Sequence, residues 1–150
     1  MLTATVYGKP ASQGSKRLVG ATTGYPRMID ADPRLKSWRA QLQAEMRAAA
    51  QQRGLPAGGW QGAVRLTVLV IVPRPRAHYR TGRRAGELRE AVPQVPASGT
   101  DVDKVARGVC DAGTGIWWRD DRQVAVLTVE RQYGAEPQVR VMAQSLSGGA

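Results

Sequence analysis

Residues 64 to 72 read Val-Arg-Leu-Thr-Val-Leu-Val-Ile-Val, and this stretch decides the fold. Nearly every position is β-branched or aliphatic, and only Arg65 interrupts the run, which is typical of a strand. Such a continuous run predicts a strand that is buried on both faces in the middle of a sheet. Pro73-Arg74-Pro75 ends it, because proline cannot donate to a strand ladder. The remaining elements are expected to pack around this strand.

Three further segments have the alternation of apolar and polar residues that indicates strands. They are residues 2 to 7, 124 to 129 and 139 to 143. The last two are separated by Gly134-Ala-Glu-Pro137, which predicts a hairpin connection between them.

Two segments have the three- and four-residue spacing of an amphipathic helix. The first begins at Asp32-Pro33 and ends at Gly54, and its apolar stripe comprises Leu35, Trp38, Leu42, Met46 and Ala49. The second covers residues 103 to 112 before Gly113, and its apolar face comprises Val102, Val105, Val109 and Ala112. The order predicts one α/β (α+β) domain over residues 1–144, with two main helices packed on a mixed, largely antiparallel sheet. Residues 145–150 are expected to be a disordered tail.

The chain is strongly basic, with 22 Lys and Arg against 12 Asp and Glu and a net charge of +10. Such an excess commonly marks a protein that acts on a polyanion, and nucleic acid is the leading partner. Arginine enrichment in high-GC genomes offers a second explanation for part of the excess. Two basic segments, residues 9 to 17 and the long stretch from 74 to 100, are predicted to be loops. The residues expected to contact DNA phosphates are Lys9, Lys16, Arg17, Arg80, Arg83, Arg84 and Lys104.

Several classes of protein lack support. Cys110 is the only cysteine, so neither an intramolecular disulfide nor a cysteine-based zinc site can form. No signal peptide and no apolar run of roughly 20 residues is visible, so we expect a cytoplasmic protein that does not enter a membrane. The absence of a phosphate-binding Gly-rich loop argues against a nucleotide cofactor.

Acidic residues are concentrated in one short stretch of this basic chain. Five of the twelve fall within 21 residues: Asp101, Asp103, Asp111, Asp120 and Asp121. Grouped carboxylates repel one another unless a cation neutralises them, and Mg2+ prefers oxygen ligands of this kind. The stretch therefore suggests a Mg2+ site.

The spacing of these residues supports the same interpretation but leaves alternatives open. Asp101 and Asp103 alternate in an extended segment and can reach one ion, while Asp103, Arg107 and Asp111 share a helical face. Taken alone, Asp101 and Asp103 are better explained by helix capping, and the Asp120-Asp121 pair is better explained by a turn before a strand. Arg107 has either a structural role, paired with Asp111, or a role beside a phosphate. Trp117 and Trp118 are expected to be one core and one half-exposed residue.

Residues 100 to 111, Thr-Asp-Val-Asp-Lys-Val-Ala-Arg-Gly-Val-Cys-Asp, and 117 to 124, Trp-Trp-Arg-Asp-Asp-Arg-Gln-Val, resemble the signature of RusA-type Holliday junction resolvases. The resemblance implies a homodimeric, Mg2+-dependent endonuclease that cuts four-way DNA junctions in recombination and repair, in bacteria or in cells infected by phage. Many members of the family come from phages and prophages.

The resemblance also assigns roles to particular residues. It implies that Asp101, Asp103 and Asp121 bind the metal and that Arg107 takes the place of a family lysine, with Lys104 the nearest lysine. A guanidinium can bind phosphate in a fork but cannot readily release a proton. The alternatives are a nuclease for forks or flaps, a non-catalytic DNA-binding module, and an RNA-binding or phage assembly protein.

Overall fold

The computed structural model describes residues 1–14, 16–20, 24 and 27–147. The strands are β1 (Leu2–Tyr7), β2 (Lys16–Val19), β3 (Arg27–Asp30), β4 (Val64–Pro73), β5 (Val124–Gly134) and β6 (Gln138–Ser145). The helices are α1 (Leu35–Gln52) and α2 (Val102–Gly113), with short 3-10 helices at Arg76–His78, Gly82–Arg84 and Asp121–Gln123.

A four-stranded sheet in the order β1-β6-β4-β5 forms the body of the protein. Strand β4 is antiparallel to β6 and parallel to β5, and β6 is antiparallel to β1. Helix α1 packs against β1, α2 packs against β4 and β5, and the two helices contact each other. The predicted α+β domain, with two helices on a mixed and largely antiparallel sheet, is confirmed. The predicted helical stripe of α1 is also confirmed through Met46, which is fully buried.

The predicted hairpin between the last two strands is wrong, because β4 lies between them. Val68 of β4 pairs with Val129 of β5 on one side and with Val141 of β6 on the other. Neighbouring strands are about 4.8 Å apart, so a connection of three residues is long enough to pass over one strand. Alternation identified both strands correctly but did not determine which strands they pair with.

Strand β4 is central, as predicted, but only one of its faces is fully buried. The side chains on the helix side, Val64, Leu66, Val68 and Val70, have no exposed surface. On the other face Arg65 is exposed and Leu69 and Ile71 are half-buried. The prediction of two buried faces fails because both helices lie on the same side of the sheet.

The basic segment after β1 is not entirely the loop that was predicted. Strands β2 and β3 pair antiparallel as a separate two-stranded ribbon, with Leu18 opposite Met28. Each strand has only four residues, and β2 is exposed along its whole length. So short a strand without a buried face gives no periodic signal in the sequence. Residues 15, 21–23 and 25–26 of this segment lie outside the described residues.

Both tryptophans after α2 are fully buried, so the expectation that one is half-exposed is wrong. The indole Nε1 of Trp117 donates to the carbonyl of Met46 at 2.8 Å, and that of Trp118 donates to the carbonyl of Cys110 at 3.2 Å. Since each polar indole group has a partner, both rings can be buried without a desolvation penalty. These two hydrogen bonds connect the segment after α2 to both helices.

The last strand of the chain continues slightly beyond residue 144, the predicted end of the domain. Strand β6 reaches Ser145, and the amide of Leu146 donates to the carbonyl of Ala63 at 2.8 Å. Residues 148–150 of the predicted tail lie outside the described residues. No helix in the described part of the chain has the length and apolar character to cross a membrane.

The backbone at Gly59 packs directly on the backbone of Trp117, which leads to a stability prediction. Gly59 has a φ of +81°, and an added Cβ would lie 2.4 Å from the carbonyl carbon of Trp117. Gly59→Ala is therefore expected to reduce the free energy of unfolding by roughly 3 kcal/mol, combining left-handed strain with overpacking. Urea unfolding monitored by tryptophan fluorescence measures this loss.

Gly58 provides the matched control. Its φ is +82°, but no described atom lies within 4 Å of an added Cβ. Gly58→Ala should therefore cost only the conformational strain, about 1 to 2 kcal/mol. Equal losses for the two variants would show that the contact with Trp117 contributes nothing.

Candidate functional site

Helix α2 separates an apolar face from a charged face, as its sequence spacing predicts. Val105, Val109 and Ala112 have no exposed surface. Asp103, Arg107 and Asp111 follow each other at four-residue steps and are all exposed. The helix therefore presents two carboxylates with a guanidinium between them to the solvent.

Asp101 lies immediately before α2, and its carboxylate does not cap the helix. Its backbone carbonyl accepts the first helical hydrogen bond, from the amide of Val105 at 3.1 Å. The side chain is 64% exposed and instead forms an ion pair with Lys104 Nζ at 3.3 Å. Capping thus does not account for the carboxylate of Asp101, which lies on the surface beside the first turn of the helix.

The two consecutive aspartates after the tryptophans have different environments. The carboxylate of Asp120 accepts from the backbone amide of Arg122 at 2.9 Å and pairs with its guanidinium at 2.8 Å. The backbone amide of Asp120 donates to Gln123 Oε1 at 2.8 Å, which completes a capping box. Hydrogen bonds from Arg122 hold the pKa of Asp120 well below its usual range. The simple turn interpretation is therefore correct for Asp120, whereas Asp121 is exposed in the first position of the 3-10 helix.

Asp121 lies beside helix α2, because the 3-10 helix that it begins contacts α2. Burial, together with the negative charges of Asp121 and Asp111, raises the pKa of the Cys110 thiol on α2 to about 11. Asp101 directly precedes the first turn of the same helix. All three predicted metal ligands are thus on α2 or beside it.

In the part of the chain that the structure describes, no three Asp, Glu, His or Cys side chains form a set that could hold a metal ion. The donor chemistry nevertheless fits Mg2+, since Asp101 and Asp103 are exposed carboxylates separated by a single residue. Mg2+ is usually held by one or two carboxylates, with waters and substrate phosphates completing its shell. The residues present are thus suited to an ion that is shared with a substrate rather than enclosed by protein.

The guanidinium of Arg107 packs against the segment that precedes β2. Among the ion pairs of the described residues, none joins Arg107 to Asp111. Instead its guanidinium lies against Gly14, where an added Cβ would be 2.4 Å from Nη1. Asp111 accepts a hydrogen bond from the side-chain amide of Gln13. Sequence reasoning missed Gln13, and no periodicity or charge pattern marks it.

The basic residues of the chain differ in how far they are already engaged. Lys9, Lys16 and Arg17 are exposed at and before strand β2. In the loop after β4, Arg84 pairs with Glu87 at 2.9 Å and Arg80 contacts Glu90 at 3.8 Å. Arg83 and Lys104 complete the predicted set, with Arg83 exposed. Of the three loop arginines that were expected to contact DNA, Arg80 and Arg84 thus have acidic partners within the loop itself.

The long basic loop is attached to the sheet at both of its ends. Near its start, the guanidinium of Arg74 stacks on the ring of Tyr133 at 4.3 Å and donates to the carbonyl of Pro93 at 2.9 Å. Near its end, Arg131 of β5 donates to the carbonyl of Thr100 at 2.7 Å. Since Thr100 directly precedes Asp101, this bond connects the sheet to the acidic end of α2.

Comparison with known proteins relates nearly the whole chain to one family. A family model described as "Endodeoxyribonuclease RusA" matches residues 8–144. A protein of Bacillus subtilis (strain 168) described as "Uncharacterized protein YqaN" is 32% identical over 143 residues, which cover 95% of each chain. The matched region contains the whole charged face of α2 and the loop that contacts it.

Proposed function

This chain belongs to the RusA endodeoxyribonuclease family, and on that premise we propose that it is a Mg2+-dependent nuclease that resolves four-way (Holliday) DNA junctions in recombination and repair. The observation that carries the proposal is the exposed face of α2, on which Asp103 and Arg107 lie one turn apart with Asp101 beside them. We place this activity in the cytoplasm of a bacterium or of a bacterium infected by phage.

In the proposed site Asp101, Asp103 and Asp121 hold one or two Mg2+ ions. A bound Mg2+ lowers the pKa of an attacking water and stabilises charge on the scissile phosphate. The exposure of all three carboxylates supports their role, as does the capping box that occupies Asp120 and leaves Asp121 on the surface. The carboxylate of Asp101 is paired with Lys104, and it would give up part of this ion pair when it binds the metal.

Arg107 is the proposed cation beside the scissile phosphate. A guanidinium held next to a reacting phosphate can donate two hydrogen bonds to its oxygens as negative charge builds up. Arg107 lies between Asp103 and Asp111, and the ion pairs found among the described residues include none between Arg107 and Asp111, which supports this role. Lys104 lies in the first turn of α2, beside Asp101, and would add a second positive charge next to the phosphate.

DNA binding is proposed to involve phosphate contacts from Lys9, Lys16, Arg17, Arg80, Arg83, Arg84 and Lys104. Each neutralised phosphate releases counterions, so affinity for the junction should fall steeply with salt. Between about 50 and 200 mM salt, measured in Ca2+ to prevent cutting, we expect a loss of orders of magnitude in affinity.

Neutralising Arg80, Arg83 and Arg84 together should reduce the slope of log affinity against log salt by roughly one to three, given about 0.9 per phosphate contact. The lower end of this range corresponds to contact by Arg83 alone, because the other two have acidic partners in the loop. Arg53→Ala, an exposed cation just after α1, is the matched control and should leave the slope unchanged. An unchanged slope in the triple variant would place the loop away from DNA.

We also propose that the protein acts as a homodimer, because two sites related by a two-fold axis match paired cuts in a four-way junction. The outer edge of β5 supports this, since it is an edge strand on which Val126 is 37% and Leu127 is 47% exposed. Sedimentation equilibrium should give about twice the chain mass of 16.2 kDa. A monomer at all concentrations that support cutting would contradict the dimer.

A panel of labelled substrates tests the junction assignment against the alternatives. Four-way junction, fork, flap, linear duplex and duplex RNA are offered at equal concentration with Mg2+. We expect the junction to be cut fastest and in pairs of nicks. Faster cutting of forks or flaps would replace the junction by another branched DNA. Binding without any cutting would identify a non-catalytic DNA-binding module instead.

A further inference from the structure

The side chain of Gln13 is buried between the two helices, with only 9% of its surface exposed. Gln13 belongs to the segment that connects β1 to β2. Its amide nitrogen donates to the carboxylate of Asp111 on α2, and its amide oxygen accepts from the guanidinium of Arg39 on α1. One side chain thus links both helices to the segment that leads into the basic ribbon.

The surrounding backbone is shaped to admit this side chain. At Gly108 of α2, an added Cβ would lie 3.4 Å from Gln13 Oε1 and 3.3 Å from the ring of Trp38. Gly14, which directly follows Gln13 in the chain, has a φ of +99° and lies against the guanidinium of Arg107. Gln13 and Gly14 therefore contact Asp111 and Arg107, which are neighbours one turn apart on the charged face of α2.

We propose that Gln13 is a positioning residue, which holds the charged face of α2, and Arg107 in particular, in register with the basic strand β2. Lys16 and Arg17 follow Gln13 by three and four residues, so the same short segment connects phosphate-binding cations to Arg107. A displacement of about 1 Å at a reacting group can cost a hundredfold in rate. This inference rests on the proposed nuclease function.

Reversal of the hydrogen bond between Gln13 and Asp111 tests the proposal. Gln13→Glu keeps an oxygen for Arg39 but places a carboxylate against Asp111, so the two negative charges repel. Asp111→Asn keeps an acceptor oxygen for Gln13. The double variant restores the bond with opposite polarity, because the amide of the new asparagine can donate to the new glutamate.

Single-turnover cutting of a four-way junction at saturating enzyme measures the effect on rate. We expect Gln13→Glu to lose at least tenfold in rate, with junction affinity in Ca2+ unchanged within about threefold, and Asp111→Asn to lose less. The double variant should recover most of the rate that Gln13→Glu loses. A Gln13→Glu rate within threefold of wild type, or a double variant as slow as Gln13→Glu, would overturn the proposal.

Thermal unfolding of the same four proteins separates this proposal from the proposed function. Gln13→Glu should lower the melting temperature by roughly 3 to 6 °C, and adding Asp111→Asn should restore most of that loss. This coupling does not depend on any nuclease activity. A wild-type protein that cuts nothing would refute the function, whereas independent, additive shifts in melting temperature would refute the bridge through Gln13.

Discussion

Asp103→Asn is expected to abolish cutting of a four-way junction while junction binding stays equal or becomes tighter. The substitution removes one of the proposed metal ligands, and it also removes a negative charge from the surface that is proposed to face DNA. Asp103 is exposed on α2, so the folded structure should tolerate the amide. Cutting is measured in Mg2+ and binding in Ca2+, each with purified variant protein.

Asp120→Asn is the matched control, because it removes a carboxylate from the same acidic stretch but from a different environment. An asparagine at this position can still accept from the amide of Arg122 and preserve the turn. We expect this control to cut at close to the wild-type rate. Near wild-type cutting by Asp103→Asn would show that Asp103 is not a metal ligand.

Arg107→Ala is expected to lower the single-turnover cutting rate by roughly a hundredfold or more, as the loss of one preorganised donor does in other enzymes. A purely structural role predicts little change, since an exposed pair four residues apart contributes only about 0.3 to 0.5 kcal/mol. A large loss of rate is the outcome that the structure favours, because no ion pair joins Arg107 to Asp111 among the described residues.

Arg107→Lys should retain part of the rate, because the resemblance places a lysine at this position in the family. Arg47→Ala, which removes an exposed cation from α1, is the control for a general loss of positive charge. If Arg107→Ala cuts within about threefold of wild type, the cationic role belongs to Lys104 or to neither residue.

The sequence was sufficient to predict both helices and four of the strands, but neither the short strands β2 and β3 nor the pairing of the strands in the sheet. Apolar residues at every third or fourth position identify α1 and α2, and the apolar run at residues 64 to 72 identifies β4. Alternation in β5 and β6 says only that each is a strand, so it could not reveal that β4 separates them. The four-residue strands β2 and β3 pair only with each other and expose apolar as well as polar side chains, so no alternation of buried and exposed residues marks them.

The candidate site could be predicted where it depends on helical spacing and not where it depends on tertiary contacts. Asp103 and Arg107 share an exposed face because they lie four residues apart in one helix. Asp120 and Asp121 are adjacent residues of the same type, and only the capping geometry of the turn shows that their carboxylates have different roles. Gln13 is 98 residues away from Asp111, so its contact with the charged face depends on the packing of the whole domain.

Cutting of a synthetic four-way junction with and without Mg2+ is the most direct test of the central claim. We expect paired nicks near the branch point when Mg2+ is present, none when a chelator removes it, and none in a linear duplex of the same sequence. Junction binding with no cutting at any Mg2+ concentration would contradict the proposed nuclease function, as would equal cutting in the presence of chelator.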